Sequence, residues 1–409
     1  MQLNLFDYVV SCYARNEGAI TNEALYDAVA GSAGIAPSDL HRTTPVGKNG
    51  TRTSRIKREI RWHQQTLKQA GLLRRTKQRG NWTLTQEGRA KYPLRRAEPN
   101  ATMVAYSTDL GVALWSLAKD TFSALNGDEP ITLCLTSPPY PLKSPRSYGN
   151  PSESEYVEFL IENLRPIVEN LKPGGSVCLN VSNDIFVSQT PARSLYAERL
   201  ILAIHDELGL HLMDRLIWHN PSKSPGPTQW ACKTRQQLKT AWEPIYWFSN
   251  EPRLAVSDNR RVLQPHNDRM KRLIAAGGES NHRESSDKAY TVRPGSFGGQ
   301  TDGTIPTNIL RFSHTCRSQL EYKKQARAAG LVPHGAPYPL SLARFLIEFL
   351  SGKDDLVVDP FGGSMTTAVA AEELGRRWIS TDCMYEYVRG SKSRFVDAEW
   401  NTEFLEIAG

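Results

Sequence analysis

The stretch Asp355-Leu356-Val357-Val358-Asp359-Pro360-Phe361-Gly362-Gly363-Ser364 decides the fold. A short apolar, β-branched run that closes on an acid and is stopped by proline reads as a buried strand. The glycines behind it let the backbone approach a ligand before a helix expected over about Met365 to Leu374. Strand, glycine turn and helix make a nucleotide-binding βα unit, in which Asp359 can anchor the turn or a polar ligand group. Arg377 to Thr381 reads as the next strand and closes on Asp382, about twenty residues after the glycines, where folds of this kind place an acid for ribose hydroxyls. Taken alone, the same pattern also suits a structural turn in another α/β protein.

Working outward, Ile131-Thr132-Leu133-Cys134-Leu135 is a second buried strand, ended abruptly by Thr136-Ser137-Pro138-Pro139-Tyr140. Met103 to Tyr106 reads as a short strand, 110 to 125 as a helix, 154 to 171 as an amphipathic helix, Lys172-Pro173-Gly174-Gly175 as a turn and Ser176 to Val181 as a strand. A helix over 193 to 208 and strands over 210 to 219 and 242 to 249 continue the alternation. The pattern predicts a mostly parallel sheet with helices on both faces and ligands at the C-terminal edges of its strands.

The chain has 409 residues with 39% hydrophobic, 9% aromatic and 23% charged, a composition that excludes global disorder and leaves room for two or three domains. No stretch approaches the roughly 18 consecutive apolar residues of a membrane span, and the apolar residues of the N-terminus are broken by Asp7, Arg15 and Glu17. The six cysteines form no CxxC pair and have no histidine at metal-ligand spacing, so no metal site is expected and a reducing cytoplasm is the simplest compartment. DNA binding would associate the protein with the nucleoid there.

The net charge of +7 is unevenly placed: residues 1 to 100 carry +9. Residues 51 to 80 hold ten basic side chains, among them Arg55, Lys57, Arg58, Arg61, Arg74, Arg75, Lys77 and Arg79, against the single acid Glu59. A polyanion is the natural partner of such a block. Ile56, Ile60, Leu67 and Ala70 mark one face of a helix running from Ser54 as N-cap to Gly71 as C-cap, followed by a basic hairpin through Trp82 to Thr85. Helix plus basic hairpin outlines a winged helix, and Gln65 to Gly88 resembles the N-terminal domain of Mrr-type restriction proteins, a DNA-binding module. A solvated basic face on a helical domain without that role is the alternative. Arg95 to Asn100, aperiodic and charged, reads as a linker.

Ser137-Pro138-Pro139-Tyr140 behind one strand and Asp359 to Ser364 behind another resemble the paired signatures of the S-adenosylmethionine-dependent amino DNA methyltransferases. Ala336-Pro337-Tyr338-Pro339, Gly375 to Ile379 and Glu386-Tyr387 extend the likeness over about 101–250 and 330–400. The SPPY-type motif precedes the cofactor motif with a long insert between, as in that family's β class. The resemblance implies a Rossmann-like methyltransferase sheet with circularly permuted motif order. The domains would be a winged helix (1–97), a catalytic half (98–250), a target-recognition insert (251–330) and a cofactor half (331–409).

The cofactor implied is S-adenosylmethionine, held by Asp359, Pro360, Phe361, Gly362, Gly363, Ser364, Thr366 and Asp382. Asp109 would be a partner of its adenine amine, or equally a helix N-cap. The family's turn has glycine where Met365 stands, a replacement that ordinary helical angles would tolerate. Ser137 and the Pro138 carbonyl would accept hydrogen bonds from the amine of a flipped-out base, Pro139 would keep the loop rigid and Tyr140 would stack on the base. Serine at the first position is, in that family, commoner for N4-cytosine than for N6-adenine. Asp184 is a candidate proton acceptor, with an ordinary exposed loop acid as the alternative.

Double-stranded DNA is the implied substrate, with Arg260, Arg261, Arg269, Arg283, Arg293 and Arg311 of the basic, glycine-rich insert as base-edge readers, and phosphate contacts or simple surface charge as the alternatives for many of them. A cognate restriction endonuclease and a homodimer belong to the same expectation. Carbon-5 cytosine methylation is disfavoured because none of the six cysteines follows a proline. The alternatives carried are N6-adenine methylation, methylation of RNA or a protein glutamine, and a non-catalytic DNA-binding regulator with a methyltransferase fold.

Overall fold

The computed structural model describes residues 5–14, 19–46, 51–78, 80–91, 96–125, 127, 129–142, 151–329 and 331–406. Its main feature is a ten-stranded sheet. In chain order the strands are β1 (Met103–Ser107), β2 (Gly111–Trp115), β3 (Ile131–Thr136), β4 (Leu171–Asn180), β5 (His211–His219), β6 (Trp242–Ser249), β7 (Ile309–Arg311), β8 (Leu356–Asp359), β9 (Arg377–Asp382) and β10 (Glu399–Trp400). Across the sheet they lie β7-β5-β6-β4-β3-β8-β9-β2-β1-β10. The pairs β4/β3, β3/β8, β8/β9, β9/β2 and β5/β7 are parallel. The other four pairs are antiparallel.

Strands at the sheet centre bury both faces, and the two-residue period divides their side chains between two cores. Leu133, Leu135 and Val357 face one core, with the helices Leu340–Leu350, Thr366–Glu373 and Tyr385–Ser391. Cys134, Leu356 and Val358 face the other, with Tyr156–Glu169 and Tyr196–Leu208. The helix Leu340–Leu350 is typical of this packing: Leu342, Ala343, Leu346, Ile347 and Leu350, at three- and four-residue spacing, are all buried.

Three local expectations change. The single helix expected over 110–125 divides into β2 and a short helix, Ala118–Ser123, because Ala113 and Leu114 are buried as a strand paired with β1 and β9. The turn expected at 172–175 lies within β4 as a bulge, the register moving from Ile131 opposite Leu171 to Leu133 opposite Ser176. Gly174 has φ +77° there, and a Cβ on it would come 1.9 Å from the Leu254 carbonyl oxygen, so only glycine fits. The linker is fastened at its end. Arg95 lies outside the described residues, but Arg96 bridges to Met384, and the amide of buried Ala97 donates to the Cys383 carbonyl at 2.8 Å.

The N-terminal part has its own core around Val9, Leu25, Val29, Ile60, Leu67 and Trp82. The basic helix spans Arg55–Gln69; the Ser54 hydroxyl accepts from the Lys57 amide at 3.2 Å, and Gly71 follows its end at φ +74°. The hairpin Leu73–Arg75/Asn81–Leu84 packs beside it with Ile20–Thr21 as a third strand.

Candidate active site

The strand ends of β3 and β8 bring the two signatures together. A cavity of about 260 Å³ is walled by Ser137, Pro138 and Tyr140 from one and by Asp359, Phe361, Gly362 and Thr366 from the other. The Thr136 hydroxyl donates to Asp359 at 2.6 Å, a bond between residues 223 apart in the chain that locks the two strand ends in register.

Asp359 anchors the turn. Besides Thr136 it accepts from the Phe361 amide at 3.0 Å and the Thr367 hydroxyl at 2.5 Å, and Thr367 is bonded in turn to the Tyr338 hydroxyl. Burial pushes its carboxyl up to about 6, against the pull of these hydrogen bonds. Asp382, at the end of β9, accepts from the Gly363 amide and the Met384 amide, both at 2.8 Å, and burial likewise raises it to about 6. It stands behind the turn and off the cavity wall; a carboxylate accepting two bonds has lone pairs left for sugar hydroxyls.

Glycine is required at 362, where a Cβ would lie 2.3 Å from the Ser380 hydroxyl and 2.7 Å from the Met365 sulfur. Met365 does not have helical angles: φ is +56° and ψ +39°, in the left-handed region where the family's glycine would sit without cost. Its side chain is fully buried in the core, which offsets the backbone strain. The turn is braced from outside by residues the sequence reading missed. Gln319 bonds Thr366 at 2.6 Å and Ser364 at 3.3 Å, and Arg394 donates to the Ser364 carbonyl at 2.6 Å and the Thr366 hydroxyl at 3.0 Å. Gln319 and Tyr322 belong to the helix Arg317–Ala328, so the end of the segment expected as a target-recognition insert packs against the glycine turn instead. Pro360 is buried, and the Phe361 ring packs 5.8 Å from that of Phe159.

On the β3 side of the cavity the Ser137 and Tyr140 hydroxyls are 2.8 Å apart, and Tyr140 donates to Asn180 Oδ1 at 3.2 Å. The Asn180 amide nitrogen donates to the Pro244 carbonyl at 3.3 Å, which fixes Oδ1 toward the tyrosine. Pro138 is buried and Pro139 half-buried. Asn180 ends β4, the sheet position that should have singled it out.

Asp184 is no free surface acid. It lines the cavity, accepts from Thr240 at 2.7 Å, and is paired with Arg193 and Lys223, each at 3.3 Å. Asp109 does not join the site. It is exposed in the β1–β2 hairpin, beside Gly111, which pairs with Trp378 near the start of β9. That is the opposite edge of the sheet from the cavity, and no helix follows for it to cap.

The proposed nucleic-acid contacts separate in the same way. Arg55, Arg58 and the 64%-exposed Trp62 recur every three or four residues along the outer face of the basic helix, and Arg61 is exposed beside them. Lys57 is paired with Glu23 at 3.0 Å and lies over the Tyr26 ring. Arg74 and Lys77 are exposed, Arg75 stacks on Trp82 at 4.8 Å, and Arg79 lies outside the described residues.

In the insert, Arg293, Arg269 and Arg283 are exposed, and Arg311 lies opposite His219 at the cavity edge of the sheet. Arg260 and Arg261 are elsewhere. Their segment is bonded to Gly174 and Phe349 at the far edge, Arg260 is held by Asp258 at 2.7 Å, and Arg261 donates to the carbonyls of Val256 and Ser351. Arg261 is structural, and neither residue is placed to read a base in the cavity. Among the described residues no helix is long and apolar enough to cross a membrane.

Residues 131–393 match the family model for N6- and N4-type DNA methylases, and residues 4–92 match the Mrr N-terminal domain. The chain is 38% identical over 278 residues to the type II methyltransferase M.PvuII of Proteus hauseri, covering 66% of this chain and 79% of that one. It is 25% identical over 275 residues to the type II methyltransferase M.HpaI of Haemophilus parainfluenzae, covering 66% and 69%. The solved PvuII DNA methyltransferase, named as cytosine-N4-specific, superimposes with a TM-score of 0.56 at 30% identity over 75% of this chain and 92% of that one. With both signatures meeting in one cavity and the match spanning most of the sheet, the chain belongs to the N6/N4 DNA methylase family, enzymes that use S-adenosylmethionine.

Proposed function

We infer that the protein methylates the exocyclic N4 amine of a cytosine flipped out of duplex DNA. The observation that carries this reading is the Ser137 hydroxyl, which shares a cavity with the cofactor turn and is hydrogen-bonded to Tyr140. The relationship to a methyltransferase named as cytosine-N4-specific supports the choice of base.

The base amine is a poor nucleophile because its lone pair is delocalised into the ring. Accepting hydrogen bonds from the NH2 lets the nitrogen rehybridise. Tyr140 donates to Asn180, which leaves its oxygen to accept the Ser137 proton; the Ser137 lone pairs and the Pro138 carbonyl would then accept from the amine. Tyr140, on the cavity wall, would stack on the base, and the two prolines restrict the loop so that the acceptors are in place before the base arrives. Gly362, Gly363, Ser364 and Thr366 with Asp382 would hold S-adenosylmethionine, which supplies an electrophilic methyl group on sulfur. The Asp184 carboxylate is engaged by Thr240, Arg193 and Lys223, so we assign it to the cavity wall and let the departing proton pass to water. The N-terminal domain adds backbone grip through its basic helix.

Expression in a host lacking DNA methylation, followed by sequencing that reports modified bases, tests the reading. N4-methylcytosine in a single motif is expected. N6-methyladenine would overturn the choice of base, and unmodified DNA from cells making soluble protein would overturn the activity.

A further inference from the structure

We propose that Lys223 is the specificity-determining residue of the base pocket, donating a hydrogen bond to the O2 carbonyl of the target cytosine. Lys223 lies on the cavity wall that also carries Ser137, Pro138 and Tyr140. Its ammonium is set between two carboxylates, Glu243 at 2.9 Å and Asp184 at 3.3 Å, and its side chain is only 20% exposed. With Arg193 on Asp184 the group has two positive and two negative charges, so it adds no net charge to a pocket that must accept a neutral base.

The lysine is held by its backbone as well as by its charge. It follows β5 in a turn closed by Asn220, whose carbonyl accepts from the Lys223 amide at 3.2 Å and whose side chain accepts from Ser222 and from the His314 amide. Asp184 lies just beyond β4, and Glu243 lies in β6 opposite Trp218. Three strands therefore converge to place one cation on the same cavity wall as Ser137 and Pro138.

An ammonium has three donor directions; one is hydrogen-bonded to Glu243, and Asp184 stands at ion-pair distance on another side. The third suits a hydrogen-bond acceptor. Cytosine whose N4 amine faces Ser137 carries two acceptors along the same edge, N3 and then O2. Adenine carries N1 and then a C–H at the O2 position. A donor reaching the second acceptor separates the two bases, because a site built to bond a polar group rejects the analogue lacking it.

This rests on the cytosine reading. The test uses a duplex carrying the motif found methylated in the host, with the target base either cytosine or 2-thiocytosine, which keeps the amine and N3 but replaces O2 by a weak acceptor. For the wild type kcat/KM is expected to fall about tenfold or more on 2-thiocytosine. Lys223→Met is expected to lose a similar factor on cytosine and nothing further on 2-thiocytosine, with unchanged S-adenosylmethionine affinity, while Lys223→Arg retains part of the discrimination. Equal wild-type rates on the two bases would overturn the proposal without any variant, and so would the same discrimination factor in wild type and Lys223→Met. A wild type that methylates adenine in its own motif would instead remove the cytosine reading and this proposal together.

Discussion

The hydroxyls of Ser137 and Tyr140 lie 2.8 Å apart, and the tyrosine passes the bond on to Asn180. A serine with its proton committed to a neighbour presents lone pairs outward, which is what an amine donor needs. Ser137→Ala is expected to lower single-turnover methyl transfer on the order of 100-fold, as for loss of a transition-state hydrogen-bonding group, with cofactor affinity unchanged. Tyr140→Phe keeps the stacking ring and is expected to cost about tenfold. The double variant should lose little beyond Ser137→Ala, since the two act as a unit.

Asp359 gives the enzyme a pH dependence of known sign. Its folded-state pKa of about 6 stands above the ordinary 3.8, so the native state holds the proton more tightly than the unfolded chain. The stabilisation is fully present below about pH 4 and is lost as pH rises through about 6. Asp359→Asn removes that loss, so the melting temperature of the variant minus that of the wild type is expected to grow between pH 5 and pH 8. A difference independent of pH would show that the carboxyl is ionised throughout.

Met365→Gly tests how the cofactor turn is balanced. Glycine relieves a left-handed backbone worth about 1–2 kcal/mol, but deletes a fully buried side chain worth about 2–5 kcal/mol. A net destabilisation of about 1–3 kcal/mol in denaturant unfolding is expected, with cofactor binding preserved. Gly362→Ala, whose Cβ would meet Ser380 and Met365, should abolish cofactor binding measured by calorimetry.

The basic helix should act through phosphate charge. Replacing Arg55, Arg58 and Arg61 by alanine is expected to weaken DNA binding and reduce the slope of log K against log salt by up to about 3. Arg261→Ala should leave that slope unchanged while lowering the melting temperature, because its guanidinium bonds two carbonyls.

The parts of this architecture that announce themselves in sequence are those governed by local chemistry. The runs at 131–136 and 356–359 are short, apolar and closed by proline, and both are buried strands. The Ser54 cap and the glycine at 71 bracket the basic helix as expected. What stays hidden depends on which strand ends meet. Asp109 follows a strand as Asp382 does, yet one hairpin sends it to the wrong edge. Arg260 and Arg261 are as basic as Arg293, but their segment is fastened at the sheet's far edge. Asn180 and Lys223 carry no motif of their own; only the convergence of β4, β5 and β6 puts Asn180 behind Tyr140 and Lys223 on the cavity wall.

The centre of the sheet is also a timer. Thr136 must find Asp359 223 residues on, Leu114 receives the Thr381 hydroxyl across 267, and the Trp115 indole reaches the Cys383 carbonyl across 268. A ribosome that has already released the SPPY loop still has most of the chain to make before β8 exists to lie against it. Contacts of such long sequence separation form late. The cavity that joins the two signatures therefore cannot close until β8 and β9 have been made and have paired with strands that left the ribosome long before them.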